Sequence, residues 1–156
     1  MAATDTKSQV SVTDSDLTTD AGNMRLASTA TENHATAISA KKIANGAAAV
    51  AVTVRNLTNQ VVVDGGSISS AGDLETGAYT GRTLSTSTIA NSGQEGRLAI
   101  AVVVDISTSL TEAALGGDVT VDGAVDVTGE SLFFDVSHVT TATMGLGNIT
   151  KAINNQ

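Results

Sequence analysis

A chain of 156 residues suits one domain with a core of its own, and 41% of these residues are hydrophobic although only two Phe, one Tyr and no Trp are present. The absence of Cys excludes a disulfide framework and a thiolate metal site. Sixteen acidic against eight basic residues give a net charge of -8, which excludes the basic surface needed to hold nucleic acid or an anionic membrane.

Residues 1–9 are polar and without period, and read as a frayed lead-in. From Val10 the chain turns to short alternating runs, Val10-Ser11-Val12 and Met24-Arg25-Leu26, separated by turn formers over 14–22. The Ala-rich stretch 27–45, with Ile38, Lys41, Lys42 and Ile43, has a composition that a helix would also accept. The apolar runs 47–54 and 98–104 are too short to span a bilayer. The first residues lack the basic and apolar regions of a signal peptide. A bare Met followed by polar residues, and a new strand opening at 152–156, read as a piece of a longer protein whose export signal lies elsewhere.

The chain repeats itself. Ala49-Val50-Ala51-Val52-Thr53-Val54 returns 50 residues later as Ala99-Ile100-Ala101-Val102-Val103-Val104, and Gly65-Gly66 returns 51 residues later as Gly116-Gly117. Gly22, Gly46, Gly72, Gly96, Gly123 and Gly147 divide the chain into intervals of 24, 26, 24, 27 and 24 residues. Two residues after alternate glycines stands an apolar side chain: Met24, Leu74 or Val125. The counterparts of the doubtful Ala-rich stretch are rich in β-branched and aromatic residues (85–89 and 133–140), which argues for strand throughout.

A unit of this length cannot bury its own apolar face and must stack on its neighbours. The expectation is an all-β chain forming a parallel β-solenoid, or β-helix, over 10–147. It would have about six coils of 24–27 residues, in a two-coil super-repeat of 50–51, with coils about 4.8 Å apart. Residues 148–156 form a cap or the start of a further coil. Val50, Val52 and Val54 are expected to point inward, stacking with Ile100, Val102 and Val104 through the coil between. The Ala, Thr and Ser set then forms a smooth outer face suited to packing rod on rod.

The pattern Gly-x-x-Ala-Ile/Val-Ala-Val-x-Val, then Leu-Thr-x-x-Val/Ala-x-x-x-Gly-Gly, then alternating Val or Ile, resembles the repeats of large bacterial exported β-helical proteins. These are the filamentous-haemagglutinin-like and autotransporter adhesins and the leukotoxin-like repetitive surface proteins. The resemblance covers 10–147. It implies a secreted or surface-displayed rod with a structural or adhesive role and no fixed catalytic residues, so that no catalytic, cofactor-binding or metal-ligating residue is assigned. Host-surface structures or glycans are the ligands such a rod meets. Unpaired backbone on the last coil predicts association with further copies through solenoid ends or lateral faces, extending into filaments.

Several residue groups carry chemistry of their own. Asp105-x-Ser107-x-Ser109 after an apolar strand is similar to the metal-ion-dependent adhesion site of von Willebrand A domains, in which a carboxylate and two hydroxyls hold a hard cation such as Mg²⁺. Ser109-Leu110-Thr111-Glu112 would cap a helix running through 113–115. Against this, the earlier copy reads Arg55-Asn56-Leu57-Thr58-Asn59 and has no such triplet, and 105–109 is read as a plain solenoid corner. Asp118, Asp122 and Asp126, with Asp64 and Asp73, are weighed as a Ca²⁺-binding edge against a solvated face. His34 and His138 stand at different offsets and share no role. A carbohydrate-acting or carbohydrate-binding β-helix of phage-tail or lyase type is the alternative function, with Tyr79, Arg82 and Arg97 as its equipment. The Ser-Thr runs 85–88 and 140–143 invite a water-ordering reading. A cation-dependent binding domain centred on Asp105, Ser107 and Ser109 is the third class.

Overall fold

The computed structural model describes residues 1–41, 46–91, 98–142 and 148–155. Among them the chain is all β, in ten strands: β1 (Ala2–Thr13), β2 (Asp16–Thr19), β3 (Met24–Lys41), β4 (Gly46–Asp64), β5 (Ser67–Ser70), β6 (Leu74–Asn91), β7 (Leu98–Leu115), β8 (Asp118–Val121), β9 (Val125–Ala142) and β10 (Asn148–Asn155). The Ala-rich stretch is strand β3 as far as it is described. Residues 109–115, where a capped helix was weighed, belong to β7. The polar residues read as a lead-in are also strand, since pairing starts at Ala2.

From β4 on, each strand lies parallel on the strand three elements before it. This gives three sheets, β1-β4-β7-β10, β2-β5-β8 and β3-β6-β9, an arrangement consistent with a β-solenoid. The first and third sheets face each other across the interior, and the short strands β2, β5 and β8 close one side. Stacked partners are 49 to 52 residues apart: Asn148 lies on Ala99, Met24 on Leu74, Val10 on Val61 and Ala47 on Ala99.

That register corrects the expected coil of 24–27 residues. One glycine interval carries one long strand and crosses the molecule once, so two intervals are needed to bring the chain back above itself. The pairing therefore does not support six coils. The expected corner at 105–109 is likewise mid-strand, within β7, as is the earlier copy 55–59 within β4. Polar residues there do not break the strand because their side chains find partners inside.

The real corners lie elsewhere. Asp14-Ser15, Gly65-Gly66 and Gly116-Gly117 stack between the first and second sheets, with Asp118 N donating to Gly66 O at 3.0 Å. Gly66 has φ +73°, and a Cβ on it would collide with the Ser15 backbone beneath. Gly22, Gly72 and Gly123 occupy the next corner, before β3, β6 and β9; Gly96 and Gly147 lie outside the described residues.

The orientation of the Val-Ala strands is the reverse of that expected. Ala47, Ala49, Ala51, Ala99, Ala101 and Val103 are buried, whereas Val50 is 52% exposed and Val52, Val54, Val102 and Val104 are half-buried on the outside. The facing sheets meet there in a cluster of buried alanines, Ala47, Ala49, Ala90, Ala99 and Ala101, with the partly buried Ile38 and Ala40 against it. A Val at each of those inward sites would demand a wider interior than this thin end provides. At the opposite end, beside the short sheet, the core is fuller: Met24, Val63, Ile68 and Leu74, with Val12, Leu17, Leu26, Leu115 and Val121 packed against them.

Candidate functional site

Between its two apolar ends the interior is mixed, with polar and charged side chains beside the buried Leu57 and Leu84. The same alternation that turns Ala47 and Val61 inward also turns in Thr53, Arg55 and Asn59 on β4, Asp105 and Ser107 on β7, and Thr76, Thr80, Arg82, Thr86 and Thr88 on β6. Charges buried in this way must be paired to be tolerated. Arg55 Nη1 lies 3.2 and 3.3 Å from the two Asp105 carboxylate oxygens, and its Nη2 donates to Thr86 Oγ1 at 3.0 Å. Thr86 in turn donates to Asp105 Oδ2 at 2.7 Å. Arg82 Nε donates to Glu32 Oε2 at 2.8 Å and Nη1 to the Thr108 carbonyl at 2.8 Å. Its Nη2 stands 2.8 Å from the same Glu32 oxygen, near enough for an ion pair but off the line of a hydrogen bond. Asn59 ties the facing sheets together by donating to the carbonyls of Tyr79 and Ser28.

These pairs settle where the sequence candidates lie. Asp105, Ser107 and Ser109 do share one face of β7, as alternation requires. The Asp105 carboxylate is taken up by the Arg55 guanidinium and the Thr86 hydroxyl, so a cation is already provided by the chain itself. Ser107 is buried with its Oγ unpartnered, and Ser109 is exposed. Ser85 and Ser87 face outward while Thr86 and Thr88 are buried, so this Ser-Thr run is split between two faces rather than forming one flat array. Residues 143–147 and Arg97 lie outside the described residues, and His138 falls at the register position of Ser87. His34 is inward and half-buried on β3.

Asp73, Glu75 and Asp126 stand near one outer corner. Asp73 is held in a ladder: its backbone N donates to Asn23 Oδ1 at 2.9 Å, and its Oδ1 accepts from Ala124 N at 2.9 Å. A shallow recess of about 430 Å³ opens beside it, lined by Asn23, Arg25, Asp73, Glu75 and Asp126 among others. Arg25, Glu75 and Asp126 are register partners on the outer face of three stacked strands. Arg25 Nε meets Glu75 Oε2 at 2.9 Å, Tyr79 donates its hydroxyl to Glu75 Oε1 at 2.7 Å, and the guanidinium lies 5.9 Å from the Tyr79 ring centre. The Tyr79 hydrogen bond, then that of Arg25, holds the Glu75 carboxyl below its ordinary range, and the same carboxylate raises both Tyr79 and Arg25. Asp64, Asp118 and Asp122 are exposed at neighbouring corners, and among the described residues no three His, Asp or Glu are gathered so as to hold a metal ion.

The third feature is the face at the top of the stack. Ile68 and Leu74, covered on both sides, are 2% and 1% exposed. Their register partners one layer on, Val119 and Val125, are 38% and 51% exposed, and Val127 is 45% exposed. At the first two of these positions the exposed side chains are aliphatic, like their covered partners. The pairs Glu32–Arg82 and Arg55–Asp105, which sequence reasoning missed, each span 50 residues, so opposite charges one repeat apart were the available signal. Comparison with protein-family models, curated proteins and solved structures gave no match.

Proposed function

We propose that this chain is a segment of a parallel β-solenoid rod with a structural or adhesive role, displayed at a bacterial surface or secreted, that associates with further copies through its ends or lateral faces. The observation that supports this reading most directly is the use of charge. Arg55, Asp105, Arg82 and Glu32 are consumed in pairs that lock one layer to the next, while the outer face of the first sheet carries Val, Ile, Leu, Ala, Asn and Thr over 48–58 and 100–110. Such a division makes a stiff, regular shaft whose work is done by its surfaces and not by a catalytic cleft. The test is imaging of the purified 156-residue chain by electron microscopy, with a cell- and glycan-adhesion assay beside it. Elongated particles that retain cells or glycans support the role; compact particles with no adhesion remove it.

Carbohydrate recognition or processing is the second reading, and the recess beside Asp73 favours it. Arg25, Glu75 and Asp126 line the recess on the outer face of stacked strands, and the Tyr79 ring stands beside it under the Arg25 guanidinium, the mixture of stacking surface and hydrogen-bonding groups that sugars use. Titration of neutral and acidic oligosaccharides against Tyr79 fluorescence, with an assay for new reducing ends or unsaturated products, tests it. An unchanged signal with every sugar removes it.

A further inference from the structure

Two glycines stand on the outward side of β6, Gly77 and Gly81, with Tyr79 between them. Glycine weakens a strand and is kept there where something must come close to the backbone. Gly77 is explained within the chain: a side chain on it would collide with the Tyr79 ring, which lies back over it to reach Glu75. Gly81 has no such neighbour. Its φ is outside the left-handed region and nothing lies within 4 Å of where a Cβ would stand, so neither backbone conformation nor packing inside the chain calls for it.

The gap that Gly81 leaves is a recess of about 230 Å³, with Thr29, Tyr79, Glu130 and Leu132 around it. β6 is paired along its whole length to β3 on one side and β9 on the other, so this recess opens on the flank of the molecule, over its middle layer. The same pairing leaves β6 no free backbone N–H or C=O for an added peptide strand. Gly81 lies about 20 Å along the strand from Glu75 in the recess beside Asp73. The two recesses, with Tyr79 between them, form one course.

The charge along this course is one-sided. Asp73, Glu75, Asp126 and Glu130 stand against one guanidinium, that of Arg25, which is taken up by Glu75. Asp126 and Glu130 have no cationic partner among the described residues. They lie about 13 Å apart along β9. An anionic ligand is repelled here, and a cationic one that reaches both carboxylates has to be a chain of linked units.

We infer that this course binds a linear glycan with free amino groups, of the glucosamine type. Its rings sit in the recess beside Asp73, on Tyr79 and over Gly81, and its ammonium groups meet Asp126 and Glu130. This rests on the carbohydrate reading above and names the sugar. Gly81 lets a ring come down onto the backbone of β6, between the register partners Thr31 and Leu132, which carry side chains.

The test is calorimetric titration of the 156-residue chain, at mildly acidic pH, with the hexasaccharides of glucosamine, N-acetylglucosamine and galacturonate and with hexalysine. The glucosamine hexasaccharide is expected to bind about tenfold or more tightly than its N-acetylated counterpart, with no binding of galacturonate or hexalysine. Gly81→Val is expected to weaken that binding about tenfold or more while melting no lower than the parent. Asp126→Asn/Glu130→Gln is expected to remove the preference for the free amine. If the N-acetylated sugar or galacturonate binds as well as glucosamine, or if Gly81→Val keeps full affinity, the inference falls and the carbohydrate reading stands. Hexalysine binding as tightly as the amino sugar would show that charge alone is read, and a lowered melting temperature for Gly81→Val would show that the chain itself needs the glycine; either overturns the inference. If no sugar binds, the carbohydrate reading falls with it.

Discussion

Arg55 and Asp105 meet inside the shaft one layer apart and two residues out of register, at 1% and 0% exposure of their side chains. Asp105→Ala therefore strands a guanidinium among Thr53, Thr86 and apolar neighbours. Breaking one side of a buried pair is expected to remove about 3–5 kcal/mol of stability, whereas replacing both partners with apolar residues of similar volume is near neutral or stabilising by about 1–4 kcal/mol. Urea midpoints for Asp105→Ala and for Arg55→Met/Asp105→Leu check this. An equal loss in both variants would show that shape, not uncompensated charge, governs the site.

Register is what such pairs specify. A slip of one residue in β4 turns Arg55 outward and Val54 inward, and the same slip in β6 exposes Arg82 and leaves Glu32 buried alone. The layered arrangement is thus chosen against its nearest competitors by a few charged residues, even where apolar burial alone would tolerate either face.

The direction of the Val-Ala strands gives a second prediction. Ala101 is fully buried in the thin end of the core, while Val50 lies outside. Ala101→Leu overpacks a space bounded by Ala49, Ala90 and Ala99 and is expected to cost about 1–3 kcal/mol. Val50→Thr keeps the β-branched shape on the surface and is expected to change stability by less than about 0.5 kcal/mol. Thermal melts of the two variants decide the orientation, because the opposite one inverts their order.

The comparison of sequence and structure turns on these same residues. Strand in place of helix over residues 27–41 was legible because the equivalents of this stretch carry Thr, Ile and Phe. The corners at Gly22, Gly72 and Gly123 were legible because they recur at nearly equal spacing, 50 and 51 residues. Which face of 49–54 turns inward was not, since Ala and Val are both apolar and alternation alone does not choose between them. The choice is made farther along the strand, where Arg55 and Asn59 find Asp105, Thr86 and the Tyr79 carbonyl on other strands. The turn length was hidden for a related reason: two facing strands of similar length give a glycine at each end, so half a turn carries the marks of a whole one. The Arg25–Glu75–Tyr79 group could be read only once the 50-residue register placed Arg25 beside Glu75.

The stacked glycine corner yields a third prediction. Gly66→Ala forces a side chain into the left-handed region and against the Ser15 backbone, and is expected to destabilise by about 1–3 kcal/mol. Gly81, within β6, has nothing within 4 Å of where a Cβ would stand. Gly81→Ala removes chain entropy from the unfolded state and is expected to be neutral or stabilising by up to about 1 kcal/mol. Equal melting temperatures for the two variants would mean that the corner does not hold the layers together.

Tyr79 is the only tyrosine, so its ionisation can be followed by phenolate absorbance without interference. Its hydroxyl donates to Glu75, and a phenolate beside that carboxylate is disfavoured, which raises its pKa above the ordinary 10.0. Because the folded value is raised, the contribution of Tyr79 to stability is complete below pH 10 and is lost as pH climbs through the raised value. Glu75 has the opposite sign: its folded pKa is lowered by Tyr79 and Arg25, so its contribution is present above the ordinary 4.5 and lost as pH falls through the lowered value. Glu75→Gln removes the carboxylate from both effects. Its phenolate titration is expected to shift down towards 10, and the difference in melting temperature between it and the parent to shrink at both pH extremes. A parent protein that titrates at or below 10 would separate Tyr79 from Glu75 in solution, and with it the built character of the recess.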